Sequence, residues 1–254
     1  MKFAAFLILA ASLLMPAQVL AEGSDWGYEI SPYLFATGLA GDTGVNGVTA
    51  EVDMDFGDIL DRLDSAVMVS FAASNDRWTI LTDVIYARLK DEKTRDWQGP
   101  GGLGPLTGAL EATVTEEVFH LAIGYRVAPG LDLIGGARYT SLDVDLDLVT
   151  TTGGLLPGGT RRVSGDQSWW DPIVGVRYVR SIGDHWSFRG QLDYGFGSGD
   201  SDGSYQLLAG FERRLGESWS TRVGYRNLTW DFEDDGFIWD MTMEGAFLGF
   251  TYRF

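Results

Sequence analysis

The sequence predicts an all-β fold: a closed antiparallel transmembrane barrel of ten strands, with short turns at one end and longer loops at the other. Three observations carry this. Apolar and polar residues alternate with period two through most of the chain, tight turns recur between the alternating segments, and Trp residues fall at two levels. Alternation puts every second side chain on one face of a strand. Two aromatic levels bounding an apolar band are what a barrel in a bilayer needs.

The N-terminal 1–21 segment reads as a signal peptide. Lys2 is followed by the apolar run Phe3 to Met15, and Val19-Leu20-Ala21 precedes a cut at Ala21/Glu22. The run is short for a membrane helix, and polar chain follows at once. Residues 22–254 are then one barrel domain.

Four tight turns organise it: Asn75-Asp76, Ala128-Pro129-Gly130, Ile182-Gly183-Asp184 and Leu215-Gly216-Glu217. Each separates two alternating segments, so they make four hairpins, and one strand is added at each terminus. Strands are expected near 26–40, 65–74, 77–90, 112–126, 131–146, 168–180, 185–198, 203–214, 218–232 and 239–254. Eight strands are the main alternative. The cleanest alternation sets Trp186, Phe188, Leu192, Tyr194 and Phe196 against Ser187, Arg189, Gln191, Asp193 and Gly195. The last strand sets Ala246, Leu248, Phe250, Tyr252 and Phe254 against Gly245, Gly249, Thr251 and Arg253, with Phe247 as an exception.

The longer connections run near 41–64, 92–111, 147–167, 199–203 and 233–238. Short turns then lie in the periplasm and loops outside. Segment 41–64 is an outer extension: Val48 to Phe56 alternates, and Asp58 to Leu63 looks like one or two helical turns. Pro32 and Pro172 fall inside expected strands, where each removes a ladder donor and calls for a bulge.

Composition excludes several functions. The net charge is −17, which argues against nucleic-acid binding. With no Cys and two His, neither disulfides, thiol catalysis nor a His-rich metal centre is available, and nothing calls for a cofactor. The 34 Gly suit turns and a crowded lumen, where a small side chain leaves room for a long one opposite.

The polar strand faces converge on a lumen. Asp83, His120, Arg138, Asp171, Arg177, Arg189, Asp193, Glu212, Arg222 and Arg226 form its expected charge network, with Glu29, Glu117, Gln191, Gln206 and Arg253 on the same faces. Opposite charges should pair there, because burying either sign alone is costly. Trp26, Trp78, Trp186 and Trp219 follow turns or open a strand, and Trp170 and Trp230 lie near the opposite strand ends; these six are the expected membrane-interface aromatics. His120 is the one histidine placed where acid–base chemistry is conceivable, and no serine stands at a telling distance from it. Acidic clusters at Asp53–Asp64, Asp200–Asp202 and Glu233–Asp235 suit weak divalent cations shared with lipopolysaccharide phosphates, or simple solvation. The glycine-rich stretches 99–104 and 153–159 lack the following Lys-Ser/Thr pair of a phosphate cradle.

The chain ends Leu248-Gly249-Phe250-Thr251-Tyr252-Arg253-Phe254, and a terminal aromatic on an alternating strand resembles the assembly signal of bacterial outer-membrane barrels. Ile30-Ser31-Pro32-Tyr33-Leu34, Phe56-Gly57-Asp58-Ile59-Leu60-Asp61, Asp171-Pro172-Ile173-Val174-Gly175-Val176-Arg177-Tyr178 and Gly224-Tyr225-Arg226 resemble a group of poorly characterised Gram-negative outer-membrane proteins. The resemblance implies a small porin-like barrel in the outer membrane. Its expected partners are outer-membrane lipids, lipopolysaccharide and the barrel-assembly machinery, with Phe254 as the assembly signal; the oligomeric state stays open, with a monomer favoured. It carries no catalytic residues over. Three roles stay open: a non-enzymatic structural or surface-interaction barrel, a narrow channel for ions or small polar solutes, and a lipid- or peptide-modifying enzyme.

Overall fold

The computed structural model describes residues 26–45, 48–98, 105–152, 159–197, 201–234 and 236–254. The expected signal peptide and its cut site lie outside them. The strands, in chain order, are β1 (Gly27–Val45), β2 (Val48–Met54), β3 (Leu63–Ser74), β4 (Trp78–Gln98), β5 (Pro105–Ala128), β6 (Leu131–Thr152), β7 (Gly159–Ile182), β8 (Trp186–Phe196), β9 (Ser201–Arg214), β10 (Trp219–Asp234) and β11 (Phe237–Arg253). A helix, α1 (Phe56–Arg62), lies between β2 and β3.

All neighbours are antiparallel, in the order β11-β10-β9-β8-β7-β6-β5-β4-β3-β1-β2, and β11 pairs back onto β1. With β2 outside that closure, the wall is a ten-stranded antiparallel barrel. The β1–β11 pairing closes the sheet on itself, the condition for crossing a bilayer with strands, and leaves Tyr33 to Gly38 of β1, on the side away from β11, and the outer edge of β2 unpaired among the described strands. Phe254 completes it. Its N–H donates to the Tyr28 carbonyl at 3.1 Å, the Tyr28 N–H donates back at 3.2 Å, and the two rings stack at 5.6 Å.

Alternation sorts the two faces. Leu192, Tyr194, Phe196, Val223, Leu248 and Phe250 are exposed on the outer wall. Asp193, Gln206, Glu212, Arg226 and Thr251 are buried inside. Phe247, which breaks the alternation, turns inward at 9% exposure. Gly224 and Gly210, register partners beneath it, make its room: a Cβ on them would stand 2.7 and 3.1 Å from its ring. At the periplasmic end, Asn75 caps its turn by accepting from the N–H groups of Arg77 and Trp78. Gly130 and Gly183 supply the left-handed φ values of 75° and 65° that their turns require.

Two expectations are corrected here. Segments 92–111 and 147–167, expected as loops, are largely strand. β4, β5, β6 and β7 run 21, 24, 22 and 24 residues, whereas about 9–11 suffice to cross. β3 accompanies β4 only to Leu89, and β8 accompanies β7 only to Ile173. Above those points β4–β7 pair only with one another and continue as a four-stranded sheet. Register pairing between neighbours rewards continuing a ladder through residues whose composition alone suggests a loop. The bulges expected at the prolines are also absent. The β1–β11 register is the same on either side of Pro32, and Pro172 pairs with Ala137 just beyond the last β7–β8 pair, so its missing N–H costs no bond to β8.

The orientation is testable because the chain has no Cys. Single cysteines at Asp202 and Asp166 should react with a membrane-impermeant thiol reagent on intact cells, and cysteines at Asp76 and Gly216 should not. The reverse pattern would invert the topology.

Candidate functional site

The site is the lumen, which is filled in two zones of opposite chemistry. The lower zone is ionic. Nearest the periplasmic turns, Asp132 on β6, at 1% exposure, accepts from Arg126, from Arg177 at 3.0 Å and from Thr79 at 3.2 Å. Beside it, Glu29 of β1 binds three guanidinium groups: Arg189 at 2.9 Å, Arg222 at 2.6 Å and Arg253 at 2.9 Å. Glu212 of β9 pairs with the same three, at 2.6 Å to Arg189, 2.8 Å to Arg222 and in close contact with Arg253. Five strands thus meet in one cluster of two acids and three arginines.

Two further groups sit higher. Arg226, at 1% exposure, donates to Asp83 at 2.9 Å, to the Tyr33 hydroxyl at 2.8 Å and to Gln206. Tyr33 in turn donates to Asp83 at 3.0 Å. Across the lumen, Arg138 donates to Asp193 and to Ser204, and Ser204 donates to Asp171. Gln191 and Gln206 donate to the other Asp193 oxygen. His120 lies between Asp83 and Arg138 in the ladder at 2% exposure, and neither of its ring nitrogens has a hydrogen-bond partner among the described residues. It borders a cavity of about 130 Å³ whose walls include Tyr33, Asp83, Gln206 and Arg226, with room for several waters.

The upper zone is apolar. Phe35, Ile85, Val118, Leu142, Trp169, Leu228, Trp230, Phe232, Trp239, Met241, Met243 and Phe247 form one buried cluster. Trp169 stacks on Phe232 at 4.1 Å, and the Trp230 Nε1–H donates to Thr140 at 3.0 Å. Arg226 lies 5.9 Å from the Phe35 ring and joins the zones.

The ten residues of the expected charge network all line the lower zone. The expectation of a lumen filled by paired charges throughout is corrected for its upper part, where Phe35, Leu142, Trp169, Trp230 and Met241 pack together. Trp230 is corrected with it. It is fully buried in the lumen rather than at the lipid interface, because its strand position shares the inward parity of Arg222 and Arg226. Trp169 and Trp239, near the same strand ends, are also inside. Trp78, Trp186, Trp219 and Trp170 are 44 to 54% exposed on the outer wall, while Trp26 is half-buried at the start of β1. Trp78 packs on Tyr125, Trp219 on Tyr252 and Trp170 on Tyr139. Sequence reasoning missed Asp132, Arg126 and Tyr33. Parity alone could have found them, since Asp132 shares the face of Arg138, Arg126 that of His120 and Tyr33 that of Glu29.

At the outer rim, Asp231 stands opposite Asp240 in the ladder. Partial burial, with Asp240, Asp202 and Glu233 nearby, holds its carboxyl above the usual range. A carboxyl raised in the folded state binds extra protons there, so stability increases as pH falls towards its titration. Asp231→Asn should therefore raise the urea midpoint at neutral pH, and the gain should shrink in acid. Among the described residues no group of three or more His, Cys, Asp or Glu side chains could hold a metal ion.

Fold and lumen together define a ten-stranded outer-membrane β-barrel with a buried ion-pair network. No protein-family model and no curated protein matches the chain. Solved structures do. The outer membrane protease OmpT from Escherichia coli matches with a TM-score of 0.53 and 11% identity, over 91% of this chain and 98% of that one. The translocator domain of the autotransporter NalP from Neisseria meningitidis matches with a TM-score of 0.41 and 15% identity, over 100% and 97%. Ail of Yersinia pestis gives 0.32 and 10%, over 90% and 98%. At these identities the likeness to OmpT is one of fold.

Proposed function

We propose that the protein is a non-conducting, non-enzymatic outer-membrane barrel that presents its outer β4–β7 sheet as an interaction surface, with the barrel as its rigid base. The observation that carries this is the double closure of the lumen. An ion pathway would have to pass the Trp230–Met241 layer, buried at 0% exposure, and then the Glu29–Glu212–arginine cluster. Against chemistry at the rim, His120 is deep in the lumen and His185 lies beside the periplasmic turn before β8. Export by residues 1–21 and delivery to the assembly machinery through Phe254 belong to the same reading, with lipopolysaccharide around the outer rim and a monomer in the membrane.

Single-channel recording of the refolded protein tests it. Silence at both voltage signs is expected, and regular, reproducible steps would refute it in favour of the channel. A variant with the β4–β5 and β6–β7 hairpins cut back to the register partners Lys90 and Thr113, and Asp143 and Asp166, should still fold and insert but lose surface binding.

A further inference from the structure

The barrel wall has a break. β1 pairs with β11 up to Val45, but on its other side it pairs with β3 only over Gly27–Pro32 and with β2 only over Leu39–Val45. Tyr33 to Gly38 therefore has no ladder partner on that side. The facing stretch of β3, Leu63 to Met68, pairs with β4 and not with β1. Pairing ends at Pro32, which has no N–H to offer. An unpaired strand edge is costly in hydrocarbon, and β3 has the residues to close it, yet α1 turns it aside.

The break lies in the lipid-facing band. Leu34, 72% exposed, stands in register with Leu248 and, through it, with Val223, which are 46% and 50% exposed. It reaches up to Gly38, opposite Glu244, where the outer wall turns polar. This is the outer half of the apolar band.

Behind the break is a cavity of about 430 Å³, inside the roughly 300–1,000 Å³ range of small-ligand pockets. Leu34, Val223 and Leu248 border it from the lipid side, and Phe35, Met68 and Phe247 from the lumen side. Phe56 and Leu60 of α1 form its roof, and among the described residues none that is charged lines it. Tyr33 and Phe247 also border the polar cavity, so these two side chains separate the two spaces. α1 is held from its polar face: Asp55 and Asp58 cap its first turn, and Arg62 pairs with Asp58 at 3.3 Å and with Asp91 of β4 at 3.5 Å. Its apolar face stays exposed, with Phe56 at 45% and Leu60 at 54%.

We propose that the break between β1 and β3 is a lateral port that takes up an acyl chain of an outer-leaflet lipid into the apolar upper lumen, with α1 as its lid. The occupant follows from continuity: the mouth is part of the surface that the bilayer already covers, and an uncharged pocket offers hydrocarbon a site and a headgroup none. The port does not depend on the interaction role of the outer sheet, and either can fail alone.

The test uses the whole barrel, deuterated except at its Met methyl groups, Leu methyl groups and Phe rings, in nanodiscs whose lipid has protonated acyl chains. The Met68 methyl and the Phe247 ring should show direct proton–proton cross-relaxation to the acyl chains. The Met241 methyl, buried at 0% exposure, should show none. Ala246→Phe, which adds a ring at the cavity wall, should abolish the Phe247 signal while Leu248 on the lipid face keeps its own. That Leu248 control also reports that the variant has folded. Acyl contacts at Leu248 without any at Phe247 in the native protein would overturn the port, as would Phe247 contacts that persist unchanged in Ala246→Phe.

Discussion

Glu29→Gln is expected to cost about 3–5 kcal/mol of stability, the usual loss when one partner of a buried ion cluster is removed. Glu29 accepts from Arg189, Arg222 and Arg253, and without it those three cations share Glu212 alone. The loss would be measured from urea unfolding in detergent micelles, read as the gel-mobility difference between folded and unfolded barrel. Glu29→Gln combined with Arg222→Gln should cost clearly less than the sum of the two single changes, because it removes one charge of each sign. Coupling of this kind is what a double-mutant cycle isolates. Strict additivity, or a single-variant loss below about 1 kcal/mol, the scale of an exposed pair, would show that the cluster contributes little.

Trp230→Ala is expected to cost a similar amount, about 3–5 kcal/mol, because it empties a large volume at the centre of the upper zone. Trp230 is 0% exposed and packs in the cluster that contains Phe232 and Met241. Trp230→Phe keeps most of the apolar packing but leaves the Thr140 hydroxyl without its indole donor, a loss of about 1 kcal/mol. Trp170→Ala, on the outer wall at 48% exposure, should cost much less than Trp230→Ala. Equal losses at the two positions would mean that the apolar zone is not the packed core of the barrel.

The sequence contained the barrel because the evidence for it is local. Period-two alternation assigns faces one residue at a time, and turns such as Asn75-Asp76 and Leu215-Gly216-Glu217 announce themselves by composition. Parity was enough to place Arg138, Asp193, Glu212 and Arg226 inside. It even singled out Phe247, whose inward turn is matched by Gly224 and Gly210 on the neighbouring strands.

The face taken by residues near the outer strand ends was harder to read. Trp230 and Trp170 look alike in sequence, each near an outer strand end, and only parity carried through the register separates lumen from lipid. The choice of partner within the lumen was harder still. That Glu29 meets arginines from β8, β10 and β11 depends on the strands tilting and closing on one another.

By itself, then, the sequence determined the faces of most strands, the tight turns and the chemistry available to the lumen, because each follows from neighbours along the chain. Tertiary structure alone decided that the lumen is ionic below and apolar above. It also decided that β4–β7 continue outward as a sheet, and that β1 and β3 part at Pro32. These depend on register and on contacts between strands up to 224 residues apart in the chain, and no local pattern encodes where such strands meet or separate.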